Sequence, residues 1–467
     1  MDEQSSNRGI RVFQLLKYLV KKWKLLSSIL HLKSKSVGEH QEVITISVDT
    51  QLPVETMISV DAELIPEDII LEILSRLPVK SILKMGSVSK LWLSLISEPS
   101  FYKFQFTQAT AAKRTAILIS AYDTSTRKRY LLSAPNDGGP VTHLMTPDAR
   151  TITSKETTEV EYLNGLVLYS SGNGFIMHNF AFILNPSTHK IFKLPGPASE
   201  PDCLSYGDGH ICYFFGFDET RNEHKVLTIR MFVDVNDLDQ RWTYSFTPKS
   251  IEIMIFSLSN LSWRKIDQDL PPNIIRDWNV GTKHSVCVNS VIHVILQNRN
   301  KILAFDLRTE KFSLINLPVD AIRDASYRDT CKKGLNTIIS NQPFLMKING
   351  YLGVMCRNPV AGRDEMDIWI LLDYEYRLWL KESVCFLKSW FLLDGPFALN
   401  PFIRNNFRVT YQGSMRIRMF NVPMYDMESR CPKAVEFELG YPFLHPRTVR
   451  FDHVRSYIES MFPLPSN

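Results

Sequence analysis

The residues with the most chemical potential are Cys203, His210 and Cys212, a C-x6-H-x-C group that offers zinc two thiolates and an imidazole. A closed zinc site needs a fourth donor and usually paired cysteine spacing, and neither stands nearby. Strand-core cysteines and a loop histidine account for the same pattern more simply. Glycine doublets occur in Ser171-Gly172-Asn173-Gly174 and Tyr206-Gly207-Asp208-Gly209. Neither continues into G-K-[ST] or opens a helix, so turns explain them better than a phosphate cradle. There is no G-x-S-x-G elbow and no H-E-x-x-H helix. A hydrolase or oxidase assembled from scattered side chains stays open as a rival class. The expectation is a non-catalytic chain without cofactor or metal.

The seven cysteines (Cys203, Cys212, Cys287, Cys331, Cys356, Cys385, Cys431) are odd in number and contain no C-x-x-C pair, which argues against a disulfide framework. A reducing compartment, cytoplasm and/or nucleus, fits best. The chain of 467 residues has a net charge of +5, but eight basic residues and no acidic one lie between Arg8 and Lys35, leaving −3 on the remainder. The body therefore shows no basic stripe for phosphate contacts, and nucleic acid is not an expected partner. With hydrophobic residues at 44%, a chain of this length can bury a large core.

Residues 1–60 divide into a basic amphipathic stretch and a polar linker. Val12, Leu16, Leu19, Trp23, Leu26 and Leu30 recur at helical steps with lysines opposite. Such a helix could lie on an anionic membrane, target the chain, or pack on a partner or its own body.

From Pro66 the pattern becomes short helices. Pro66 suits a first helical position, and Glu67 and Asp68 complement the positive helix start. Ile69, Ile70, Ile73, Leu74 and Leu77 form an apolar stripe that Pro78 closes. A second helix is predicted over Ser81–Gly86 and a third over Lys90–Ser97, ended by Pro99. Three helices in so short a span cannot bury all their apolar side chains among themselves, which calls for a partner.

From Arg114 the chain turns to short strands rich in Val, Ile, Phe, Tyr and Trp. One unit recurs irregularly: an apolar strand, an Asp or Asn, a Ser/Thr-containing turn, and a strand that opens with a bulky residue. It begins at Ala121, Phe182, Gly216, Ile255, Ala304 and Ile370. Asp or Asn bonds its own backbone at such a turn, so each unit is a hairpin. Hairpins repeated over this length predict a β-propeller, with a β-sandwich as the structural runner-up.

The run from Leu64 to Phe106 resembles the plant-type F-box. The matching pieces are Pro66, Asp68, Glu72-Ile73-Leu74, Arg76 to Ser81, Val88-Ser89-Lys90, Trp92 and Ser97 to Phe101. Two departures are Ile65 for the usual Leu and Lys84-Met85-Gly86-Ser87 for a basic-aromatic-Arg-Cys stretch. Gly86 would cost about 1 kcal/mol of helix propensity in mid-helix. The body resembles the F-box-associated domain, through Tyr162 to Leu166, Asn185 to Thr188, Gly216-Phe217-Asp218, Ser262-Trp263-Arg264, Ala304-Phe305-Asp306 and the closing Tyr457-Ile458-Glu459-Ser460. His224 stands where that family commonly has Tyr. The implied organisation is 1–60 basic helix and linker, 61–107 a three-helix F-box, and 112–462 a large all-β domain, an α+β multidomain chain.

The resemblance implies a substrate-recognition adaptor of a Skp–cullin–F-box ubiquitin ligase. Its partners would be a Skp-type linker subunit, a cullin through it, and a protein target. Membrane contact through the basic helix stays open, as does a module that uses its F-box outside a ligase. The implied docking residues are Ile65, Pro66, Ile70, Ile73, Leu74, Leu77, Pro78, Val79, Leu83, Val88, Trp92 and Leu95. The sequence alone does not separate those that dock from those that hold the helices together. Target-binding loops are expected at one face of the β-domain.

Overall fold

The computed structural model describes residues 66–123, 125–147, 158–171, 180–196, 209–232, 250–271, 274, 285–296, 301–319, 321, 343–357, 365–385, 419–426, 431–440 and 449–465. The amphipathic stretch, the linker and Ile65 lie outside these residues, as does Cys203 of the zinc candidate. Residues 66–467 form one compact unit.

Four helices open the described chain, α1 (Glu67–Ser75), α2 (Val79–Gly86), α3 (Lys90–Ser97) and α4 (Pro99–Ala111). The expected count of three is corrected by α4. Pro99 does not merely end α3; it occupies the first turn of α4, where its missing N–H has no intrahelical acceptor to lose. Pro66 and Pro78 stand one position earlier than a first helical residue, as extended N-caps with ψ of 141° and 147°. Gly86 is the last residue of α2 and is buried. A Cβ there would meet Ile96 Cδ1 at 2.5 Å, so glycine lets α3 pack close.

The β-domain is a propeller. Among the described residues it has five four-stranded blades, each given from its inner strand outward. The first is β23 (Val449–Tyr457), β1 (Ala116–Asp123), β2 (Lys128–Ala134) and β4 (Thr142–Met145), and the second is β5 (Thr158–Leu163), β6 (Leu166–Ser171), β7 (Ala181–Asn185) and β8 (Lys190–Lys193). The third is β9 (Gly209–Asp218), β10 (Glu223–Phe232), β11 (Ser250–Ser257) and β12 (Ser262–Lys265), and the fourth is β13 (Ser285–Val288), β14 (Val291–Leu296), β15 (Lys301–Asp306) and β16 (Lys311–Asn316). The fifth is β17 (Phe344–Ile348), β18 (Tyr351–Arg357), β19 (Glu365–Asp373) and β20 (Leu378–Cys385). A smaller sheet pairs β21 (Met419–Asp426) with β22 (Cys431–Glu438) and β3 (Gly139–Pro140). Because β23 is the last strand of the chain and pairs antiparallel with β1, the C-terminus completes the blade that the N-terminal end of the domain begins.

Two turn designs produce the hairpins. In the recurring unit, Asp123, Asn185, Asp218, Asp306 and Asp373 each accept the backbone N–H two residues on, at 2.8–3.1 Å. The residue four positions after each (Arg127, His189, Asn222, Glu310, Arg377) is left-handed, with φ of 52–59°. The other design is a two-residue turn with both φ positive, at Asn164-Gly165, Asn289-Ser290 and Asn349-Gly350. That twist matches the strands it joins.

The core lies between successive blades. Leu118, Leu131, Val160 and Val167 pack the first blade on the second; Leu168, Ile183, Tyr213 and Val226 pack the second on the third. Leu227, Ile229, Ile292 and Phe305 join the third to the fourth, and Ile302, Ile315, Val354 and Leu371 the fourth to the fifth. Val435 and Phe437 of the small sheet pack on Ile117 and Ile119 of the first blade. In β10, Val226 and Leu227 serve opposite interfaces, because alternate strand residues face opposite sides of a sheet. A sandwich would bury one face of each sheet; a blade flanked by two others buries both, which is why β10 is almost wholly inside.

Candidate linker-docking surface

Burial sorts eleven of the twelve residues implied for docking, Ile65 lying outside the described residues. Ile70, Leu74, Val79 and Leu95 are buried, as are Ile82 and Ile96 of the same helices. Ile73, Leu77 and Trp92 are half-buried, and Pro66, Pro78, Leu83 and Val88 are exposed. Three further apolar residues absent from that set, Leu91, Leu93 and Phe104, are exposed as well. Val88, in the turn between α2 and α3, and Leu93, on α3, are each 51% exposed, more than Leu83, Leu91 or Phe104. A helical wheel of α3 alone does not find them, because Leu91, Trp92, Leu93, Leu95 and Ile96 are apolar nearly all round the helix. Exposed apolar side chains gathered on one small helical domain are the kind of surface on which another molecule can dock.

The helices are held to the propeller by polar contacts. The Arg114 guanidinium donates to the carbonyls of Ser75 and Arg76 at 2.8 and 2.6 Å, closing the C-terminal end of α1. Helix α2 has no side-chain cap of its own. Its Val79 N–H is instead accepted by Glu459 Oε2 at 2.9 Å. Gln105 of α4, fully buried, donates to the Glu459 carbonyl and accepts from the Met461 N–H, both at 3.3 Å.

The same C-terminal segment is fastened to the propeller. Asn185 Nδ2 donates to the carbonyls of Ser460 (3.1 Å) and Phe462 (2.8 Å). Ser187 Oγ, itself bonded to the Tyr457 hydroxyl, accepts from the Ser460 N–H at 3.0 Å. The Tyr162 hydroxyl accepts from the N–H of Ile458 and of Gly165, and donates to the Ile458 carbonyl. Burial pushes the Tyr162 hydroxyl up to about 12, so it keeps the proton it donates. His224 is buried against Phe215, Phe217 and Phe462, with Nε2 facing the Leu163 carbonyl. Burial lowers it to about 4, and the ring is neutral. The substitution of His for the usual Tyr thus bears on the seat of the C-terminal segment as well as on one hairpin.

A cavity of about 440 Å3 lies among the innermost strands β5, β9, β13, β17 and β23. Glu161, Ser285, Cys287, Lys347 and Arg455 are in its wall. Burial pushes the Cys287 thiol up to about 11, which keeps it protonated and unlike an activated nucleophile. Among the described residues no cluster of three His, Cys, Asp or Glu side chains is placed to hold a metal, and Cys212 is buried in the core between the third and fourth blades.

Residues 63–104 match the family described as F-box domain, and residues 116–457 match the family described as F-box associated beta propeller domain. Relatives in Arabidopsis thaliana include F-box protein At1g30790, 27% identical over 402 residues, covering 80% of this chain and 90% of its own. F-box protein At4g19940 is 24% identical over 80% of this chain and 86% of its own length. F-box protein DOR is 26% identical over 70% of this chain and 76% of its own. An exposed apolar helical domain seated on a propeller, matched over both parts, places the chain among the plant-type F-box proteins that carry an F-box-associated β-propeller domain.

Proposed function

We propose that the chain is the substrate-recognition subunit of a Skp–cullin–F-box ubiquitin ligase. In this reading the helices dock on a Skp-type linker subunit, and the propeller holds a protein target. The observation that carries it is the exposed apolar set Leu83, Val88, Leu91, Leu93 and Phe104 of the helical domain. Each is 36–51% exposed, so covering it would recover up to about half of the ~1.5–3 kcal/mol of a full burial, a gain that a partner surface supplies. Catalysis would be proximity: a target lysine held beside a charged conjugating enzyme at high effective concentration, with no bond broken by this chain.

The target side of the reading rests on the propeller's loops and on its axial cavity, which present varied side chains on a stiff frame. The reading goes with a cytoplasmic and/or nuclear location. Affinity capture with the full chain tests it. Recovery of a Skp-type subunit and a cullin, both lost with a Val88→Asp/Leu93→Asp variant of unchanged stability, is the expected result. A linker subunit recovered without any cullin favours the module that acts outside a ligase.

A further inference from the structure

We infer that the C-terminal segment Ile458–Leu464 is an orienting strap, with Glu459 and Gln105 as positioning residues that fix the helical domain's attitude on the propeller. The inference rests on the adaptor reading, in which that attitude sets where a bound target points.

Successive residues of the segment alternately engage the two bodies. Glu459 reaches α2 through its carboxylate and α4 through its carbonyl. Ser460 is held by Asn185 and Ser187 of the propeller, and Met461 returns to Gln105. Phe462 sets its ring 5.0 Å from Tyr102 of α4 and 5.0 Å from His224 of β10. Leu464 is buried in the core between the second and third blades. Gly165 admits this path, since a side chain there would collide with Ser460.

Covalently, the helices join the propeller only through residues 112–115, between α4 and β1. A short link fixes distance but leaves torsional freedom at each residue. The strap removes that freedom, because a hydrogen-bonded second attachment turns a hinge into a fixed joint. Effective concentration depends on linker stiffness as well as length, so such a joint bears directly on proximity catalysis.

The test uses the full chain carrying genetically encoded spin labels in place of Ser94 on α3 and Glu375 at the β19–β20 turn. Wild type and Glu459→Gln, whose amide oxygen still accepts from Val79, should give a narrow distance distribution. Glu459→Ala/Gln105→Ala should widen it about twofold, with propeller hydrogen-exchange protection and capture of the linker subunit unchanged. An unchanged width in the double variant, alongside faster exchange at Val79, overturns the strap. Failure of unlabelled wild type to capture the linker subunit overturns the adaptor reading instead, since the label distance is read within this chain alone.

Discussion

Glu459 accepts the Val79 amide hydrogen at 2.9 Å across 380 residues of sequence, so the segment that follows β23 caps α2. Helix starts usually find their acceptor in the preceding Ser, Thr, Asp or Asn. Here that position is Pro78, which fixes the helix entry and offers no side-chain oxygen. Folding of the helical domain is thereby linked to completion of the propeller.

Glu459→Ala should lower the free energy of unfolding by about 1 kcal/mol, the usual value of an N-cap acceptor. Glu459→Gln should lose less than half of that. Urea denaturation of the two variants, at equal dependence on denaturant, measures the difference.

Gly165 lets the strap cross a two-residue turn, and Gly350 in a like turn serves as its control. Gly165 and Gly350 have the same φ of +86°, but only Gly165 faces Ser460, while nothing lies within 4 Å of a Cβ built on Gly350. Gly350→Ala should cost about 1–2 kcal/mol, the left-handed penalty alone. Gly165→Ala adds an overpacking cost of about 1–3 kcal/mol. Thermal and urea unfolding of the pair isolate the strap contact; equal costs would show that the segment yields freely.

The helical domain should divide cleanly under mutation. Leu74→Ala, at a buried position, is expected to cost about 2–5 kcal/mol of stability. Leu93→Ala should leave stability within about 0.5 kcal/mol and weaken linker-subunit binding about tenfold, as an interface anchor would. Calorimetric titration with the purified linker subunit, beside unfolding curves, checks both.

Acid should destabilise the propeller through two buried histidines. Burial lowers both His224 and His293 to about 4, below the ordinary imidazole value of 6.5. Between those values the unfolded chain binds the extra protons, so stability falls as pH drops from about 6.5 toward 4 and is insensitive to these groups above 7. The loss should reach a few kcal/mol at the acid end. His224→Phe/His293→Phe should flatten that slope, measured as urea midpoints at pH 7 and pH 5.

Much of this was legible in residue order. The Asp or Asn turns at Asp123, Asn185, Asp218, Asp306 and Asp373 announce hairpins because their hydrogen bonds are local. The helix limits at Gly86, Lys90 and Ser97 follow from local signals too. Pro99 misled, because proline both stops one helix and starts another, and only the following turns show which. The docking residues divide less well: Leu74 and Leu93 are both leucines on short apolar helices, and which is inside depends on where α2 and α4 lie.

Sequence by itself determined the two-part organisation, the hairpin repeat and the resemblance to F-box proteins, since each rests on contacts within a few residues or on a long ordered motif. Only the tertiary structure decided for the predicted propeller over its runner-up sandwich, turned Leu91, Leu93 and Phe104 outward, and bound the helices to the blades through Ile458 to Leu464. Those features depend on partners hundreds of residues apart, such as Glu459 with Val79 and Ser460 with Asn185. No local pattern encodes such a pair, because each side chain's acceptor is supplied by a different part of the chain once the ring has closed.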